Sequence, residues 1–84
     1  MTQVTIYTTA HCPYCVSAKR LLSSKGVIPY EINVEESPRH LAEMMQRSQR
    51  RTVPQIFVGD VHIGGFDDLA SLVDKGRLDT LLHA

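Results

Sequence analysis

Val4-Thr5-Ile6-Tyr7-Thr8-Thr9-Ala10-His11-Cys12-Pro13-Tyr14-Cys15-Val16-Ser17-Ala18-Lys19-Arg20-Leu21-Leu22 changes period halfway along. Thr2 to Tyr7 alternates, with Val4 and Ile6 on one face, and is rich in β-branched residues, so it reads as a strand ending near Thr8. From Pro13 the apolar positions Cys15, Ala18, Leu21 and Leu22 fall at helical spacing, while Ser17, Lys19, Arg20 and Ser24 lie mostly elsewhere on the helix. Pro13 suits a first helical turn, where its missing N–H is not needed. Gly26 then ends the helix as a left-handed cap.

Beyond this unit, Ile28, Tyr30, Ile32 and Val34 alternate with Pro29, Glu31 and Asn33, predicting a second strand from Ile28 to Val34 with one buried face. Two strands joined through a helix are expected to run parallel. Ser37 precedes Pro38 as an N-cap, and Leu41, Met44 and Met45 give a helical stripe to about Ser48. Gln55 to Val58 and Val61 to Ile63 flank Gly59-Asp60, a pair suited to a tight hairpin with positive φ at Gly59. Phe66, Leu69, Leu72 and Val73 return to helical spacing and stop at Gly76, and Leu78, Leu81 and Leu82 suggest a last short helix. The order is β-α-β-α-β-β-α, an α/β chain with a four-stranded mixed sheet flanked by helices. With no linker and no repeat, residues 1–84 are expected to form one domain.

A domain of this length buries only somewhat more than ~60% of its unfolded surface, so the core is thin. Nine basic and nine acidic side chains cancel. No global field draws in nucleic acid or an acidic membrane surface, so neither is an expected partner and recognition must be local. Met1-Thr2-Gln3-Val4 carries no basic segment and no long apolar run, from which a cytoplasmic, unprocessed protein is expected. A monomer is expected as well.

Cys12 and Cys15 are the chain's only cysteines, and a bridge between them closes too small a loop to stabilise much. Cys-x-x-Cys at a strand-to-helix junction instead suits thiol-disulfide exchange. Cys12 falls at the helix N-terminus, where free N–H groups and the positive dipole end favour the thiolate, so its pKa is expected to be depressed. Cys15, one turn on, gains less and suits the resolving role. The competing readings are a zinc half-site and two inert thiols. Zinc needs about four ligands, and His11, His40, His62 and His83 show no ligand-like spacing, so no metal is expected. His11 would support a thiolate only when protonated, and it suits a solvated loop equally well.

Three blocks together resemble the dithiol glutaredoxins over essentially the whole chain: Cys12-Pro13-Tyr14-Cys15, Thr52-Val53-Pro54-Gln55-Ile56-Phe57 and Gly64-Gly65-Phe66-Asp67-Asp68-Leu69. The resemblance implies a thioredoxin-like fold, Pro54 in the cis form facing Cys12, and a glutathione site built from all three blocks. It assigns that site to Tyr14, Thr52, Val53, Pro54, Gly65, Phe66 and Asp67, with Cys12 and Cys15 catalytic. A cis X-Pro bond costs only ~0.5 to 1 kcal/mol over trans, and there it would present the Val53 backbone to an extended peptide as an added strand does. Phe66 and Asp67 open a helix whose N–H groups would take the γ-glutamyl carboxylate, with the Asp67 side chain on the α-amino group. Simple complementarity to the helix dipole would account for either Asp67 or Asp68, and it is the better reading for Asp68. Phe66 stands where relatives vary, and packing alone would account for its ring.

Many relatives carry Lys three residues before the first cysteine, and this chain has Thr9. Arg47, Arg50 and Arg51 are the candidates for the missing charge, Arg51 first because it adjoins Thr52, although basic runs are usually solvated surface. The expected activity is glutathione-dependent reduction of protein disulfides and glutathionylated proteins. Glutathione would be co-substrate, and no permanent cofactor is expected. Two alternatives stand beside it: a thioredoxin-like donor reduced by a flavoprotein reductase, and an iron-sulfur carrier, against which Pro13 beside the first cysteine argues.

Overall fold

The structure, a computed structural model, describes residues 2–83. Strand β1, Val4–Thr8, lies between two others in the order β2-β1-β3-β4. It runs parallel to β2, Tyr30–Asn33, with Thr5 opposite Tyr30 and Thr8 opposite Asn33. It runs antiparallel to β3, Gln55–Val58, with Val4 opposite Val58 and Tyr7 opposite Gln55. Strand β4, Val61–Gly64, returns along β3 through Gly59, whose φ of 57° is the positive value expected of the turn. Helices α1 (Pro13–Ser24), α2 (Pro38–Ser48), α3 (Phe66–Asp74) and α4 (Leu78–Leu82) complete the mixed sheet with helices that the pattern predicts.

Alternation along the two inner strands divides the core. Val4, Ile6, Ile56 and Val58 point to one face, where Ala18 and Leu22 of α1, Leu69 of α3, and Leu78 and Leu82 of α4 cover them. Tyr7 and Phe57 point to the other and pack with Val34 and with Met44 of α2. Both faces of β1 and β3 are thus buried, more than the single apolar face read for the first strand.

The second strand departs from expectation. It begins at Tyr30, and the face expected to be buried is open at its start, with Ile28 94% and Tyr30 59% exposed. The alternation there reports the pleat, but β2 is an edge strand, and only Ile32 and Val34 reach the cluster beneath α2. Pro29 has no N–H to extend the ladder. In α2, Met44 is buried while Leu41 stays on the surface. The caps follow their chemistry: Ser37 Oγ accepts from the His40 N–H at 3.3 Å, and Gly26 takes φ of 75° just past α1. No helix among the described residues is long and apolar enough to cross a membrane.

Candidate active site

Extended backbone at Cys12 hands β1 over to α1, so Cys12 is the N-cap residue and Pro13 occupies the first turn. The Cys15 N–H donates to Cys12 Sγ at 3.1 Å, putting the sulfur where an Asp or Ser cap would place its oxygen. Cys15 points inward, 1% exposed, whereas Cys12 is half-buried. Their Cα atoms are 5.2 Å apart and the two sulfurs are joined, so the chain is in its oxidised form. His11 is exposed.

The second block lies beside this sulfur. Val53-Pro54 is cis, and the Val53 carbonyl oxygen stands 3.8 Å from Cys12 Sγ. Thr52 to Pro54 precede β3 and lie outside its ladder. Among the described residues neither the N–H nor the C=O of Val53 enters a backbone hydrogen bond, while its side chain packs into the cluster beneath α2. Thr52 is exposed but tethered, because the Gln55 Nε2 donates to its carbonyl oxygen at 3.0 Å and to its Oγ1 at 3.3 Å.

The third block closes the arrangement. Gly64 has φ of 119°, a backbone that side chains rarely adopt, and turns the chain from β4 into α3. Gly65 adjoins Pro54 closely enough that a Cβ on it would stand 3.6 Å from the Pro54 carbonyl oxygen. The Phe66 ring lies 6.1 Å from that of Tyr14, linking the starts of α3 and α1. Tyr14 is itself 63% exposed, whereas Phe66 is half-buried and packs against the α1–α3 core. The three blocks, separated in sequence, therefore adjoin one another, the second beside Cys12 and the third beside Pro54 and Tyr14.

Within the third block the two carboxylates differ. Asp68 Oδ2 accepts from the Gly65 N–H at 2.9 Å and pairs with Arg50 at 3.0 Å. The Gly65 N–H first, and Arg50 second, hold its carboxyl below the usual aspartate range. Asp67 is exposed and makes no hydrogen bond or ion pair among the described residues, which leaves its carboxylate available. Of the candidate arginines, Arg50 is engaged by Asp68, and Arg47 bonds to Tyr7 Oη at 2.9 Å and sits 4.0 Å over the Phe57 ring. Arg51 is exposed and makes no ion pair among the described residues.

Sequence reasoning missed the support behind the second block. Gln55, fully buried, lies between Thr52 and His62, whose Nε2 is 2.7 Å from Gln55 Oε1. Burial first, then the charge of Arg50, lowers the His62 pKa. A polar side chain opening an otherwise apolar strand was the available signal, because a buried amide needs partners at both ends.

Comparison with known proteins bears on the family and the fold. The glutaredoxin family model matches residues 4–63. A glutaredoxin of Neisseria meningitidis is 54% identical over 84 residues, covering 99% of each chain. Glutaredoxin 3 of Escherichia coli K12 is 52% identical over 82 residues, covering 98% of this chain and 99% of its own. The crystal structure of a buckwheat glutaredoxin-glutathione complex superposes with a TM-score of 0.87 at 27% identity, covering 98% of this chain and 77% of the other. With a cysteine pair at the mouth of a helix and a cis-proline beside it, this chain belongs to the glutaredoxin family and is a thiol-disulfide oxidoreductase.

Proposed function

We propose that the protein reduces glutathionylated proteins and protein disulfides at the expense of glutathione, acting as a one-domain monomer in the cytoplasm. One observation carries this reading: Cys12 Sγ takes a helix N-terminal N–H and lies 3.8 Å from the carbonyl of Val53, whose N–H and C=O make no backbone hydrogen bond among the described residues. A sulfur so placed accepts N–H bonds better as an anion, so reduction of the Cys12–Cys15 bridge should yield an easily ionised thiol. The open Val53 backbone suits an extended tripeptide, which would lie along Thr52, Val53 and Pro54 with its γ-glutamyl end at Gly65, Phe66 and Asp67 and Tyr14 alongside. The buckwheat neighbour was solved with glutathione bound, which supports the choice of peptide.

In the proposed cycle the Cys12 thiolate attacks the glutathione sulfur of a mixed disulfide. The protein thiolate leaves and takes a proton, and Cys12 keeps the glutathionyl group. A second glutathione, as thiolate, attacks that sulfur, releasing oxidised glutathione and regenerating the Cys12 thiolate. On a protein disulfide, Cys12 forms the mixed disulfide and Cys15, once deprotonated, displaces the second substrate thiol by closing the internal bridge.

Cysteine replacement tests the assignment. Cys12→Ser should lose all turnover, whereas Cys15→Ser should still deglutathionylate a peptide while failing on protein disulfides. A Cys15→Ser protein inactive in both assays would contradict these roles. Comparing glutathione with a thioredoxin reductase as electron source separates this function from a thioredoxin-like one.

A further inference from the structure

Thr52 and Val53 lie outside the sheet ladder, so the sheet does not set their position. The Val53 side chain packs into the cluster beneath α2, and what reaches Thr52 is the Gln55 side chain, fully buried at the start of β3. Its Nε2 faces the Thr52 carbonyl oxygen at 3.0 Å and Oγ1 at 3.3 Å. The donor end being occupied there, Oε1 points the other way and meets His62 Nε2 at 2.7 Å. An amide oxygen only accepts, so His62 must carry its proton on Nε2. Were the amide turned over, Oε1 would confront the Thr52 carbonyl, acceptor against acceptor. The His62 ring is itself seated 4.9 Å from the Phe57 ring, on which Arg47 is stacked.

We infer that His62 and Gln55 are a positioning pair for the glutathione site: His62 holds the oxygen end of the Gln55 amide, and Gln55 tethers Thr52, the residue before the Val53 backbone that receives the tripeptide. This rests on the glutathione reading above. Neither side chain touches the sulfurs, so the pair governs docking and leaves thiol chemistry alone. Buried amides are held this way because an unmet polar end is costly, and no buried side-chain nitrogen or oxygen among the described residues lacks a partner.

The test compares the full-length parent with His62→Phe, His62→Gln and Gln55→Met in glutathione-coupled reduction of a glutathionylated peptide. KM for glutathione and kcat are read separately, and the pH profile of Cys12 alkylation is recorded without glutathione. Loss of one net hydrogen bond predicts a rise in KM of about fivefold for His62→Phe, and Gln55→Met, which loses the contacts to Thr52 as well, should raise KM at least as much. The kcat and the alkylation profile should hold, and His62→Gln, which retains an N–H donor, should restore the parental KM. His62 is half-buried on an edge strand and its replacements should fold; should His62→Phe fail to do so, Gln55→Met carries the test from the other side of the bond. Parental KM in both disruptive variants, or a His62→Gln protein as impaired as His62→Phe, overturns the positioning role and leaves the glutathione reading standing. A parent whose rate shows no saturable dependence on glutathione overturns that reading, and this inference with it.

Discussion

At Asp68 a single carboxylate oxygen serves two donors, the Gly65 N–H at 2.9 Å and the Arg50 guanidinium at 3.0 Å. Its folded-state pKa is lowered, chiefly by that N–H, so the group adds stability above the ordinary aspartate pKa and loses it as pH falls through the lowered folded value. Asp68→Ala should therefore cost about 1 kcal/mol in urea unfolding at pH 7, the usual worth of an N-terminal cap, and the deficit should close in acid. Asp67, one residue earlier, makes no such bond, and its replacement should change stability by less than about 0.5 kcal/mol. If it meets the glutathione α-amino group, Asp67→Ala should raise KM for glutathione by about tenfold or more, as expected for loss of a charge-assisted bond. Steady-state kinetics beside a melting curve separate the two carboxylates.

At the scale of elements, the junction of β4 and α3 tolerates little change. Gly64 holds φ of 119°, and a Cβ there would strike the Asp68 carboxylate, so added bulk both strains the backbone and expels the cap. Gly64→Ala should lose on the order of 2 kcal/mol or more, measurable as a lowered denaturation midpoint. The approach to β2 is the opposite case. Ile28 is 94% exposed and ends on no core surface, so Ile28→Lys should shift stability by less than about 0.5 kcal/mol. Glu31 ties the same edge inward, accepting from Thr8 Oγ1 at 2.7 Å and pairing with Lys19 of α1.

Across the whole molecule, α1 both builds the active site and supports the core. Leu22 is fully buried among β1, β3, α3 and α4, so Leu22→Ala should cost about 2 to 5 kcal/mol. For so small a fold that is a large share of the total stability, and the variant should unfold at markedly lower denaturant. The same helix carries Cys12 at its mouth, so loosening it should also slow Cys12 alkylation at neutral pH.

The order of strands and helices followed from the sequence alone, because period two and period 3.6 are local properties and the stops at Gly26, Gly59 and Gly76 are local too. Cys12 at the helix N-terminus was legible for the same reason, since the period changes at Pro13, whereas its place as the N-cap residue came from the structure. Burial along β2 was not, because alternation shows which side chains share a face but not whether a helix covers it, and only the sheet order makes β2 an edge. Nor were the pairings of Arg50 with Asp68, Tyr7 with Arg47, and Gln55 with His62. These are chosen by which atoms the packed chain brings within about 3 Å, and hydrogen bonds are too short-ranged to be read from residues seven to forty positions apart.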